Sequence, residues 1–201
     1  MIESIPSQPA SEPQTASATQ PLSAPAVKAS VAIEQEGEFD RICFYVTPIG
    51  DDASESRKHA DFMMEFVIRP ALKEFNLHLV RADQMGQPGM IGRQVVEHIL
   101  KSRLVIADLS FHNPNVFYEL CLRHTTRLPT VQIKRAVDRL PFDLNQSRTI
   151  SIDTSDVYGL YAMLQTHIAE IAAQVRRSLQ DVDSADNPIS LYYPKAKLTW
   201  N

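Results

Sequence analysis

Two rhythms of apolar and polar positions alternate from residue 39 to residue 180: short apolar runs, and longer stretches with apolar residues every three or four positions. Ile42-Cys43-Phe44-Tyr45-Val46 is a β-rich run closing at Thr47-Pro48-Ile49-Gly50, and it reads as a buried first strand with its loop. Ser56 to Glu74 carries Phe62, Met63, Phe66 and Val67 at helical spacing, with Pro70 predicting a kink or a break. Leu77 to Ala82, ending at Asp83, predicts a second strand. Leu104 to Ala107, ending at Asp108, predicts a third, Thr130 to Ile133 a fourth, and Thr149 to Ile152 a short fifth. Met90 to Ser102 predicts a helix with Ile91, Val95 and Ile99 on one face, and Pro114 to Arg127 predicts another. The last helix shows the clearest stripe: Leu160, Leu164, Ile168, Ile171 and Val175.

Strands and helices alternating at this spacing imply right-handed βαβ units and a parallel sheet covered on both faces. Five strands fit a flavodoxin-like, doubly wound α/β fold of order 2-1-3-4-5 over residues 39–180. Residues 1–38 are a different material. Ser, Pro, Ala, Gln and Thr dominate there, and large apolar residues are too few to offset the entropy of ordering. They predict a disordered N-terminal tail, either a solvated linker or a docking segment for another protein. Residues 181–201 show no pattern and read as an irregular C-terminal segment.

Composition narrows the class. A formal net charge of −4 argues against a nucleic-acid partner, which needs a basic face. No stretch is long and apolar enough to span a membrane. Met1-Ile2-Glu3-Ser4 offers neither a basic nor an apolar signal segment, so the expected location is cytoplasmic. Cys43 and Cys121 form no C-x-x-C pair and read as two buried free thiols. The six histidines lack zinc-binding spacing, so no metal is expected. Arg57, Arg81 and Arg93 are read as charged surface within reach of a phosphate.

In a doubly wound sheet, ligands bind beyond the carboxyl ends of the strands, where the strand order reverses between strands 1 and 3. That rule selects Thr47 to Gly50, Asp83, and Asp108 to Asn115. Asn113 is a good helix cap and Pro114 a good first helical residue. Their helix would aim free N–H groups into the crevice, suiting an anionic or hydroxyl-rich ligand. Glu119 lies four residues after Asn115 and four before Arg123, placing all three on one helix face. A carboxylate there suits attack on an anomeric carbon, or stabilisation of the oxocarbenium-like charge that develops.

Plainer roles fit the same residues. Glu119 and Arg123 also match a surface ion pair. Asp108 also suits a hydrogen bond to the following turn. Asn113 also serves simply as a cap, and Asp83 either as a holder of ribose hydroxyls or as a plain loop carboxylate. The Thr47–Gly50 turn suits a phosphate or sugar, without a Walker or GxGxxG pattern. Gly86, Gly89 and Gly92 lack the dinucleotide spacing and read as a loop and helix entry.

Four segments together resemble the nucleoside 2-deoxyribosyltransferase-like, TIR-like superfamily over about residues 41 to 155. They are Phe44-Tyr45-Val46-Thr47-Pro48-Ile49-Gly50, Arg81-Ala82-Asp83, Val105-Ile106-Ala107-Asp108-Leu109-Ser110 and Asn113-Pro114-Asn115-Val116-Phe117-Tyr118-Glu119-Leu120. The last is the most specific; Cys121 stands where relatives often carry Gly. The resemblance implies cleavage or transfer at an N-glycosidic bond of a nucleoside, nucleotide or NAD. Glu119 would be nucleophile or cation stabiliser, Asp108 and Asp83 would hold sugar hydroxyls, and Thr47, Gly50, Asn113 and Asn115 would line the sugar or phosphate end. It requires no cofactor, with NAD as one candidate substrate, and is compatible with a homo-oligomer. Two other readings stay open: a non-catalytic nucleotide sensor, and a TIR-like protein-interaction module.

Overall fold

The computed structural model describes residues 37, 39–85, 91–144, 147–180 and 187–195. The tail expected over 1–38 falls outside them except at Gly37, as does the loop carrying Gly86 and Gly89. Five strands form one parallel sheet in the order β2-β1-β3-β4-β5: β1 Ile42–Val46, β2 His78–Arg81, β3 Leu104–Asp108, β4 Thr130–Arg135 and β5 Thr149–Ile152. In the register, Phe44 pairs with Val80 on one side and Val105 on the other, and Asp108 pairs with Ile133. The helices are α1 Glu55–Phe62, α2 Arg69–Ala71, α3 Ile91–Lys101, α4 Pro114–Thr126, α5 Val157–Gln180 and α6 Pro188–Tyr192. The flavodoxin-like order expected from the sequence is present.

Side chains alternate across each strand and so build two cores. Cys43, Tyr45, Leu104, Ile106, Val131 and Ile133 face the α1–α2 segment and α5. Phe44, Val46, Val105, Ala107 and Leu109 face α3 and α4, where Ile99, Val116 and Leu120 meet them. Every residue of β3 is buried, as a central parallel strand requires. The α5 stripe runs through buried Leu160, Ile171 and Val175, with Leu164 and Ile168 packed beside them.

The helix expected to kink or split at Pro70 is divided just ahead of it and closes one residue after it, at Ala71. The chain widens into a π-helical turn at Met63–Ile68, where the Arg69 N–H reaches back to Met64 O. The α spacing resumes with the Leu72 N–H on Ile68 O at 3.0 Å. Pro70 has no N–H to offer, and the wider turn absorbs that loss. The same widening alters the buried face: Met64 turns in, and Phe66, expected in the core, turns out to 57% exposure.

Two further expectations are corrected. Cys43 is buried but Cys121 is exposed, because it lies on the outward side of α4. A helix, α6, occupies part of the C-terminal segment read as irregular. Asn187 caps it through Ile189 N–H and anchors it by donating to His124 O at 2.7 Å. Arg127 adds bonds to Tyr193 O and Pro194 O. Five residues are too short for a periodicity to be visible.

Candidate functional site

Asp108 ends the column Leu104, Ile106, Asp108 on the α1 face of the sheet and has no solvent exposure. A buried carboxylate needs donors on both oxygens. Oδ1 accepts the Ser110 N–H at 3.1 Å and the Ser110 hydroxyl. Oδ2 accepts the Tyr45 hydroxyl at 2.9 Å and the Thr47 hydroxyl at 3.5 Å, and lies 2.9 Å from His59 Nε2. Burial and the Asp108 charge hold the Tyr45 phenol well above its ordinary pKa, so it stays a donor. Thr47 and Asp108, both selected from the sequence, are in direct contact.

The turn after β3 is strained. Phe111 and His112 adopt φ of 60° and 50°, the left-handed region that costs a non-glycine residue about 1–2 kcal/mol. Neighbouring groups hold it there. Asp138 accepts the Phe111 N–H at 2.9 Å, and His112 Nε2 bonds Arg139 O. The Arg135 guanidinium lies 3.5 Å from the Phe111 ring centre while pairing with Asp138 and, at 2.6 Å, with Glu55 of α1. The Phe111 ring also meets His59 edge-to-face at 5.4 Å.

Asp83 belongs to a second, adjoining network. Arg81 chelates it at 2.6 and 2.8 Å, Arg57 of α1 approaches at 3.0 Å, and Arg81 also holds Asp61 at 2.6 Å. Burial alone would raise the Asp83 pKa, but the Arg81 hydrogen bonds and the two positive charges outweigh it and hold it below the ordinary value. Arg81, read from the sequence as charged surface, is buried at 2% exposure. Its place in the inward register of β2 puts its guanidinium between two carboxylates.

Gly50 lies against the start of α1. A Cβ there would stand 2.4 Å from Ser54 Oγ and 2.5 Å from Ser56 Oγ. Ser54 is the helix cap, accepting the Arg57 N–H at 3.1 Å. Gly50→Ala is therefore expected to displace the cap and cost about 1 kcal/mol. In a Ser54→Ala, Ser56→Ala background, where the cap and both close hydroxyls are gone, urea denaturation should show the added cost of Gly50→Ala falling to well under half.

Asn113 caps α4, its Oδ1 accepting the Asn115 N–H at 2.9 Å, while Asn115 is itself exposed. The shared face of Asn115, Glu119 and Arg123 does not hold. Four residues advance an α-helix by about 40° beyond a full turn. The three pass from exposed through half-buried to fully buried as the helix rolls onto the sheet. Arg123 donates to Ile99 O at 2.9 Å and Pro129 O at 2.8 Å, and makes no ion pair with Glu119. Glu119 is left half-buried, with no hydrogen bond or ion pair among the described residues, and burial raises its pKa from 4.5 to about 7.

The structure thus joins Thr47 to Asp108 and links Asp83 to α1 through Arg57, while Glu119 makes no hydrogen bond or ion pair with any of them. Tyr45, His59, Phe111 and Arg135 complete the network around Asp108 and the turn that follows it, and were not picked out from the sequence. Tyr45 carried a signal: a hydroxyl inside a buried strand needs a partner. His59 sits one turn into the helix that leaves β1, the place a doubly wound fold turns toward its ligand. Among the described residues no three His, Cys, Asp or Glu gather as metal ligands, and no helix is long and apolar enough to cross a membrane. No family model and no curated protein matches the chain.

Proposed function

We propose that the chain cleaves or transfers at an N-glycosidic bond of a nucleoside, nucleotide or NAD, the chemistry implied by its resemblance to deoxyribosyltransferase-like and TIR-like proteins. One observation carries the reading: Glu119 is a half-buried carboxylate without a cation beside it, poised near neutrality by desolvation. A surface ion pair with Arg123 would have favoured a purely structural role, and that pair is absent. A carboxylate whose pKa is raised by desolvation, on the helix that follows the switch-point strand β3, is a candidate for chemistry.

In this reading the sugar lies over the carboxyl ends of β1 and β3. The Glu119 carboxylate attacks the anomeric carbon, or offsets its positive charge as the base departs. Thr47 and Gly50 shape the floor. Asp108 is already saturated by protein donors and acts by fixing Tyr45 and His59, while Asp83, partly exposed, holds Arg57 and Arg81.

The test is incubation with NAD and a panel of nucleosides and nucleoside monophosphates, following free base by chromatography. The reactive form of Glu119 is the carboxylate. Base release, as kcat/KM, is therefore expected to rise with pH through about 7 and level off above it. A profile flat between pH 5.5 and 8.5 would remove Glu119 from the chemistry. Silence across the panel, with a ligand still raising Tm, would replace the enzyme by a nucleotide sensor.

A further inference from the structure

Asp108 and His59 form a carboxylate–imidazole pair to which the bond-breaking step at Glu119 assigns no proton transfer. Asp108 has no solvent exposure, and its Oδ2 lies 2.9 Å from His59 Nε2. With the carboxylate as acceptor, the tautomer that places the proton on Nε2 leaves the ring's lone pair on Nδ1. Nδ1 has no hydrogen-bond partner among the described residues and is not sealed from solvent. The ring is fixed from two directions: by Asp108 along Nε2, and by the edge-to-face contact with Phe111. Phe111 in turn is held in a strained conformation by Asp138 and Arg135.

The topology sets this imidazole opposite Glu119. Helix α1 covers one face of the sheet and α4 the other, and the neighbouring strands β1 and β3 send their chains to those opposite faces. His59 and Glu119 therefore lie on helices at opposite faces of the sheet, so that a sugar lying across the ends of β1 and β3 would have one on each side. Groups on opposite sides of a sugar are what displacement at an anomeric carbon requires.

We propose that His59 is the general base that activates the attacking water, with Asp108 as its positioning residue. The inference rests on the N-glycosidic reading. In the first step the C1′–N bond breaks, its electron pair leaves with the base, and Glu119 bonds or stabilises C1′. Water then attacks C1′. Its O–H bond breaks, the proton passes to His59 Nδ1, and the oxygen pair forms the new C1′–O bond. Any bond from C1′ to Glu119 breaks and returns its pair to the carboxylate. Asp108 stabilises the imidazolium, which releases its proton to the departed base or to solvent.

Water activation separates from bond cleavage when labelled free base is present, because recapture of the base by the sugar needs no water. The experiment uses the full chain, whichever NAD or nucleoside of the panel the wild type cleaves, and that substrate's labelled base. His59→Gln keeps a side-chain N–H near the Nε2 position for Asp108 but removes the base. It is expected to lower hydrolysis by about a hundredfold or more while base exchange and Tm hold. Added imidazole should restore hydrolysis in His59→Ala. Hydrolysis unchanged in His59→Gln overturns the proposal, and so does a parallel loss of hydrolysis and exchange, which marks a role through the fold. If the variant fails to fold, the absence of imidazole rescue in His59→Ala overturns it. A wild type that releases no base sinks the N-glycosidic reading itself, and this inference with it.

Discussion

Glu119→Gln is expected to lose base release by about a thousandfold or more while becoming the more stable protein at alkaline pH. Both effects come from one cause, a carboxylate kept partly out of water without a partner. Its pKa in the fold, about 7, lies above the ordinary 4.5, so the folded state favours the protonated form. The penalty is absent below about pH 4.5, grows between there and pH 7, and is complete above. At full weight the displacement amounts to roughly 3 kcal/mol; solvent screening of a half-buried group reduces this to about 1–2 kcal/mol. Glutamine has the same shape and never ionises. Its Tm should therefore exceed that of the wild type by about 3–6 °C at pH 8.5, and match it near pH 4. Scanning calorimetry at the two pH values decides the matter. Equal melting at both would mean that Glu119 is as well solvated as an ordinary surface residue.

Arg123→Ala is expected to cost about 3–5 kcal/mol, the largest loss of any single change considered. The guanidinium is fully buried, and burial lowers its pKa to about 9, so it is still charged at neutral pH. What offsets the desolvation is a set of carbonyls. Ile99 O lies in the last turn of α3, where helix carbonyls lack internal partners and the dipole is negative. Pro129 O precedes β4, and Thr130 Oγ1 lies 3.4 Å from Nε. One side chain thus ties α3, α4 and the entry to β4. Alanine leaves a cavity and takes a donor from each of two carbonyls, of which Pro129 O keeps the Val105 N–H at 3.1 Å. Arg123→Lys keeps the charge, but a compact ammonium cannot span the two carbonyls as the planar fork does, so it should recover less than half of the loss. Arg123→Met, which removes the charge and fills the space, should be the mildest of the three. Urea denaturation of the three variants gives the order; Ala milder than Met would contradict the argument.

The fold was legible because its strands are short apolar runs and its helices carry wide stripes, signals that survive without any knowledge of tertiary contacts. The strand ends were legible too, so Thr47 and Asp108 were placed at the crevice before the sheet was seen. The partners of Asp108 were not. Tyr45 and His59 lie 63 and 49 positions away in sequence, and only folding selects them. Arg123 misled for another reason. Its spacing from Glu119 is that of a surface pair, but the drift of the helix carries it under the surface within one further turn. Phe66 misled because α periodicity does not describe a π turn.

That turn has a consequence for ancestry. A π turn equals an α turn with one residue inserted, and the insertion offsets everything before it by about 100° relative to everything after it. Met63–Ile68 lies between the crevice-facing residues Arg57 and His59 and the part of the chain that leads to β2. Descendants or forebears that lost one residue there would swing His59 away from Asp108 unless the helix start shifted as well. Gaps among related chains should therefore come in compensating pairs, one within 63–68 and one between β1 and α1.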